Sequence, residues 1–127
     1  MSYDKEIVAD TLFQINEAID HIAEWCININ SGDDFVSSAD GMRTLAAVCM
    51  LLEAIGEGIK KIDKRTESGL LRVICPEIPW KSIMGMRDHI AHGYFNIDAD
   101  FVYDVVHRDL KPLRVAVGNL ISHIERQ

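Results

Sequence analysis

What most constrains this chain is the spacing of its apolar residues. Near the start, Val8, Leu12, Ile15, Ile19, Ile22, Cys26 and Ile29 follow one another at steps of four and three. That is the repeat of an α-helix carrying one apolar stripe, whereas a half-buried strand would alternate at every second residue. The stripe predicts a first helix ending near Asn30 to Asp34, where Ser, Gly and Asp favour a turn. Leu45, Val48, Leu52, Ile55, Ile59 and Ile62 repeat the pattern in a second helix, for which Ser37 and Asp40 offer a capping box. Gly56 and Gly58 lie inside that helix. Each costs about 1 kcal/mol relative to Ala, so close packing against a neighbour is expected to compensate, with an open site beside Glu57 as the alternative.

Lys60 to Arg65 reads KKIDKR, a basic patch whose charges complement the end of the helix dipole. A short amphipathic piece, ESGLLRVIC, follows, and then PEIPW breaks the chain twice. Trp80 to His92 reads as a third long helical segment. It sets Ile83, Met86 or Arg87, and Ile90 on one side, and Gly93 is placed to end it. Asp98 or Asp100 is a candidate cap for a further helix, and Pro112 falls in the first turn of a last one. The apolar side of that last helix is Leu113, Val117, Leu120, Ile121 and Ile124. No segment alternates as a strand does, and no repeat or low-complexity stretch is found. The expected fold is all-α: an antiparallel up-and-down bundle of four to five main helices, with residues 1–127 as a single domain.

The 127 residues are 48% hydrophobic, enough to bury one core. The formal net charge is -7. Phosphate affinity comes mainly from Lys and Arg, so such a chain is a poor general binder of nucleic acid, and any RNA contact needs a local basic patch or a partner. The opening MSYDKEIVAD has no signal-peptide pattern, and the longest apolar run, Leu45 to Leu52, is too short to span a bilayer. Cys26, Cys49 and Cys75 are odd in number, widely spaced and set among apolar residues. They fit reduced thiols acting as small core hydrophobes. A cytoplasmic protein without a membrane partner is expected.

Phosphate loops, dinucleotide fingerprints, H-E-x-x-H, C-x-x-C and nucleophile elbows are all absent. Glu53 and Glu57 share a helix face but have no matching carboxylates on another helix. His89 and His92 could share a metal, but the further ligands would have to come from His21, His107 or His123, which are candidates by residue type alone. No metal and no cofactor is expected. What remains is RDHIAHGY, Arg87 to Tyr94, and within it Arg87, Asp88, His92 and Tyr94. On one helix Arg87 and His92 would lie about 7.5 Å apart along the axis and about 140° apart around it. Arg stays charged and offers a fork of donors to phosphate oxygens. His titrates near neutrality and can move a proton. The pair suits cleavage of RNA by its own 2′-OH: a base takes the 2′-OH proton and a cation stabilises the pentacoordinate phosphorus. A surface Arg–Asp pair, a helix-end His and a half-buried Tyr would account for the same residues without any chemistry.

Arg87, four residues, His92, one residue and Tyr94 match an R-x4-H-x-Y pattern. With LLEAIGEGIKKI before it, PEIPWKSIMGMRDHIAHGYFNID around it and VYDVVHRDLKPL after it, the chain resembles the HepT-like toxins of the HEPN superfamily from about Leu51 to Leu113. The resemblance implies an all-helical homodimer acting as a metal-independent endoribonuclease on RNA, with transfer RNA as one candidate substrate. Its active site would be composite, formed where two motifs meet across the dimer interface, so the 140° offset on a single helix is no obstacle. Arg87 and His92 would carry the catalytic roles, with Asp88 and Tyr94 in support. The residue after the motif Arg is often Asn in the family and is Asp88 here, which would either weaken activity or orient His92. The resemblance also implies a partner, a minimal nucleotidyltransferase antitoxin that silences the toxin by transferring AMP onto Tyr94. The competing expectation is a non-catalytic helical subunit that binds a nucleotide or a partner within a nucleotidyltransferase complex, and the -7 charge favours it.

Overall fold

A computed structural model of the chain describes residues 3–90 and 96–127. Helix α1, Lys5–Trp25, begins at Asp4, whose carboxylate accepts from the Ile7 amide at 3.1 Å. Its stripe from Val8 to Ile22 is buried as the spacing requires. The helix stops at Trp25, short of Ile29, and the loop that follows contains a further helix, α2, Gly32–Val36. Ser31 caps it, accepting from the Asp34 amide, and it buries Phe35 completely. The local turn chemistry of Ser31 to Asp34 is thus used to start a helical turn, because Phe35 then reaches the core.

Helix α3, Ala39–Arg65, is capped by Ser38, whose hydroxyl accepts from the Gly41 amide at 2.9 Å. Ser37 instead closes α2, and Asp40 pairs with Arg43. The expected capping box is therefore shifted by one residue and lacks its acidic half. All six residues of the α3 stripe are buried, each worth about 1.5–3 kcal/mol of apolar transfer. A turn with Glu67 and Ser68 at positive φ leads into α4, Leu70–Ile74. Asp63 closes this turn: its carboxylate takes Arg72 at 2.7 Å and its backbone carbonyl takes the Ser68 amide at 2.7 Å. The run KKIDKR is thus a solvated basic patch of Lys60, Lys61, Lys64 and Arg65, and its one acid faces inward.

The PEIPW break leads to α5, Trp80–Met84, and α6, Met86–Ile90. Buried Trp80 donates its indole N–H to the Cys75 carbonyl at 2.8 Å, satisfying an orphan acceptor at the end of α4. After the undescribed segment come α7, Ala99–Asp104, a π-helical turn, Val105–Asp109, and α8, Leu110–Glu125. Asp98 is the N-cap, accepting from Phe101 N at 3.0 Å. Two helices were expected here, the second with Pro112 in its first turn; Pro112 does fall in the first turn of α8, but no gap separates the two and the chain runs helical from Ala99 to Glu125. Pro112 offers no N–H and its ring crowds the Arg108 carbonyl. A wide turn just upstream, in which the Leu110 amide reaches back to Val105 O, relieves this without ending the helix.

Helix α1 packs between α3 and α8, α2 bridges α3 and α7, and α5 and α6 lie on α3. Among the described residues there is no strand, and one continuous apolar cluster joins all the helices. Arg114 of α8 grips Asp20 of α1 through two hydrogen bonds of 2.8 and 3.2 Å. The first and last described residues touch, the Tyr3 hydroxyl donating to the Gln127 side-chain oxygen at 3.2 Å. No helix among the described residues is long and apolar enough to cross a membrane.

Candidate active site

Arg87 and Asp88 sit on α6, and how α6 is held decides where they are. The segment Trp80 to Ile90 is interrupted at Gly85, which joins α5 to α6; its amide donates to Lys81 O and its carbonyl accepts from Asp88 N, both at 3.1 Å. Ile83, Met86 and Ile90 are buried and Arg87 is exposed, so of the two residues weighed for the inner face it is Met86 that packs. The seat beneath is Gly56 of α3. A Cβ there would stand 2.7 Å from the Ile83 carbonyl oxygen and 3.3 Å from Met86 Cβ. Gly58 does the same for α1, facing Ile15 side-chain carbons at 3.2 and 3.3 Å. Both glycines therefore serve close packing, and no open site beside Glu57 is needed to explain them.

The far end of α6 is tied as well. The Ile90 carbonyl accepts from the Asp98 amide at 3.1 Å, joining the end of α6 to the cap of α7. His89 lies against Phe101 of α7, ring centroids 5.9 Å apart and tilted 36°. Of the two histidines in the stretch, His89 is thereby engaged in helix contact. Arg87 and Asp88 both face solvent, and neither forms an ion pair with another described residue. The Arg–Asp surface pair of the purely structural reading is not formed. His92 and Tyr94, and Gly93 as the expected helix stop, lie outside the described residues.

No group of three or more His, Cys, Asp or Glu side chains able to hold a metal occurs among the described residues. The cysteines are buried and unpaired. Burial pushes the Cys26 and Cys49 thiols up to about 11, with Glu53 adding to the effect at Cys49, and it raises Cys75 too. They are not nucleophiles at neutral pH. Sequence reasoning missed Asp63. Its signal was a lone acid four residues after Ile59, on the buried side of an otherwise basic run.

A family model described as Ribonuclease HepT-like matches residues 15–120. The chain is 31% identical to a protein of Methanocaldococcus jannaschii over 90% of its own length and 87% of the relative's. It is 34% identical to a protein of Thermococcus cleftensis over 83% and 87%. Both relatives are provisionally named, the first as an RNase and the second as ribonuclease HepT. No solved structure matches the chain. The match runs from the middle of α1 through most of α8 and includes the whole of RDHIAHGY, and on it the chain belongs to the HepT-like ribonuclease family.

Proposed function

We infer that the protein is the toxin of a HepT-type toxin–antitoxin pair, an endoribonuclease that needs no metal. The observation carrying this is Arg87: a solvated guanidinium on a helix fixed at both ends, standing at the first position of R-x4-H-x-Y in a chain of this family. His92 takes the proton of the substrate 2′-OH, and the 2′-oxygen attacks the adjacent phosphorus. The bond to the 5′-oxygen breaks, and that oxygen leaves with a proton given back by the His92 imidazolium, so that the histidine ends neutral. Arg87 donates to the phosphate oxygens as charge builds on them. The products are a 2′,3′-cyclic phosphate and a free 5′-OH. Two copies of the chain form a homodimer whose motifs face each other in a composite site. Tyr94 accepts AMP from a nucleotidyltransferase antitoxin, and the added phosphate charge repels the substrate backbone from the site.

The test is incubation of the purified, partner-free protein with total RNA in EDTA, beside His92→Ala. Cleavage by wild type alone, leaving cyclic-phosphate ends, is the expected result. If His92→Ala cleaves equally, the catalytic assignment fails. Intact mass separates the remaining cases. Inactive protein carrying AMP, with that mass lost in Tyr94→Phe, supports silencing. Inactive protein without AMP favours the second reading, a non-catalytic partner- or nucleotide-binding subunit, which the -7 charge supports.

A further inference from the structure

A groove of about 360 Å³ runs between α1 and the long rod of α7, the π turn and α8, and α5 and α6 contribute no residue to it. Its apolar lining includes Ile19, Ala23, Val106 and Leu110. The edge on the rod carries Tyr103, His107, Lys111 and Arg114, at steps of four, four and three. The Tyr103 and His107 rings are stacked, with centroids 5.3 Å apart and planes within 12°. His107 is exposed, and so is Lys111, which makes no ion pair with a described residue. Among the described residues the only carboxylate lining the groove is Asp20, and Arg114 holds both of its oxygens. The lining therefore carries two formal positive charges against one negative, in a chain whose net charge is -7.

We propose that this groove is a docking track for single-stranded RNA, separate from Arg87, in which a base stacks on the Tyr103–His107 pair and Lys111 takes a backbone phosphate. The proposal rests on RNA being the substrate and gives this face of the acidic chain a cation, Lys111, beside a stacking platform at which a strand can be held. Every base has a π face, so a stacked ring pair binds strands with little regard to sequence, while a nearby cation tracks the backbone. The apolar floor accepts the edge of the stacked base. The carboxylate that would repel phosphate is already neutralised by Arg114. A protein partner seated on the same floor would leave the aromatic pair and Lys111 without a role.

The experiment uses the full chain with Arg87→Ala, so that bound RNA is not cut, and a fluorescein-labelled uridine oligonucleotide of about ten residues, within the usual span of such sites. Fluorescence anisotropy gives Kd across a salt series. Adding Lys111→Gln is expected to weaken binding and to lower the slope of log Kd against log salt by about 0.7, the loss of one phosphate contact. Adding His107→Ala is expected to weaken binding about tenfold with the slope unchanged, as for loss of a stacking ring. Both side chains are exposed, and a thermal melt confirms that each variant is folded. With Arg87 intact, the same two changes should raise KM for cleavage while kcat holds. Unaltered affinity in both variants overturns the proposal, whether or not they weaken binding to a protein partner. If wild type cleaves RNA and the variants bind normally, the ribonuclease reading stands and the track is wrong. If wild type shown by intact mass to carry no AMP does not cleave, yet the variants lose oligonucleotide binding as described, the track stands as an RNA-binding surface and the ribonuclease reading is wrong.

Discussion

Arg87 shows how a side chain in water can keep a fixed position. The residue before it, Met86, and the last residue of the helix, Ile90, are buried, so the backbone is held while the guanidinium stays solvated. Truncating such a side chain should cost little stability, within about 0.5 kcal/mol. Arg87→Ala is therefore expected to leave the urea midpoint nearly unmoved and to lower RNA cleavage by about 100-fold or more, the scale of losing a donor to developing oxyanion charge. Equal cleavage would remove Arg87 from the site. Asp88 adds an exposed carboxylate next to Arg87, and a carboxylate about 4 Å from a phosphate costs about 1 kcal/mol in water. Asp88→Asn should raise kcat/KM about fivefold, and a fall instead would mean that the carboxylate positions a catalytic group. At this scale the sequence was informative because the motif consists of residue types with distinct chemistry. It could not say that Met86, rather than Arg87, turns inward, since both fall near the inner face of a helix and only contact with Gly56 separates them.

The helices were legible wherever burial alone decides structure. The stripes of α1, α3 and α8 are buried because a period of 3.6 residues brings them to one side. The PEIPW break and the Asp98 cap were legible too, but the interruption at Gly85 and the continuity through Pro112 were not, because they depend on what each residue touches. Gly56, Gly58 and Gly118 stay inside helices while Gly85 interrupts one. Pro112 can open a helix or follow a wide turn, and here it follows one, in a rod whose α7 meets α2 and whose α8 meets α1. Gly56 and Gly118 make a matched test. Gly56→Ala puts a methyl against the Ile83 carbonyl. It is expected to destabilise by about 1–3 kcal/mol and to reduce cleavage as α6 shifts. Gly118→Ala meets nothing within 4 Å and should stabilise by about 0.5–1 kcal/mol. Chemical denaturation of the two variants beside wild type measures both, and equal effects would mean that Gly56 is not the seat of α6.

Across the whole molecule, α1 and α8 are joined by the core and by one exposed ion pair. The bidentate hydrogen bonds from Arg114 hold the Asp20 carboxyl below its ordinary value of 3.8, against a smaller opposing effect of burial, and the same contact raises Arg114. A carboxylate whose folded value is lowered stabilises the fold above its unfolded value and ceases to do so as pH falls through the folded one. Arg114→Ala should therefore cost up to about 1 kcal/mol at pH 7, the ceiling for an exposed pair. The difference from wild type should shrink below pH 3.8, as read by urea melts across the acid range. A deficit unchanged by acid would assign the effect to lost packing of the Arg stem. The bundle was legible as a class because no segment alternates. The pairing of Asp20 with Arg114, which lie 94 positions apart, was not, since nothing local marks either one. The contact between Tyr3 and Gln127 brings the start of α1 and the end of α8 to one side of the bundle. A linker from residue 127 to residue 3 therefore has a short span to cover, and new termini can be opened at the strained Glu67–Ser68 turn without separating α1 from α8. In such a permuted chain α3 would be the last helix synthesised and would close a core that the other helices had already begun to assemble.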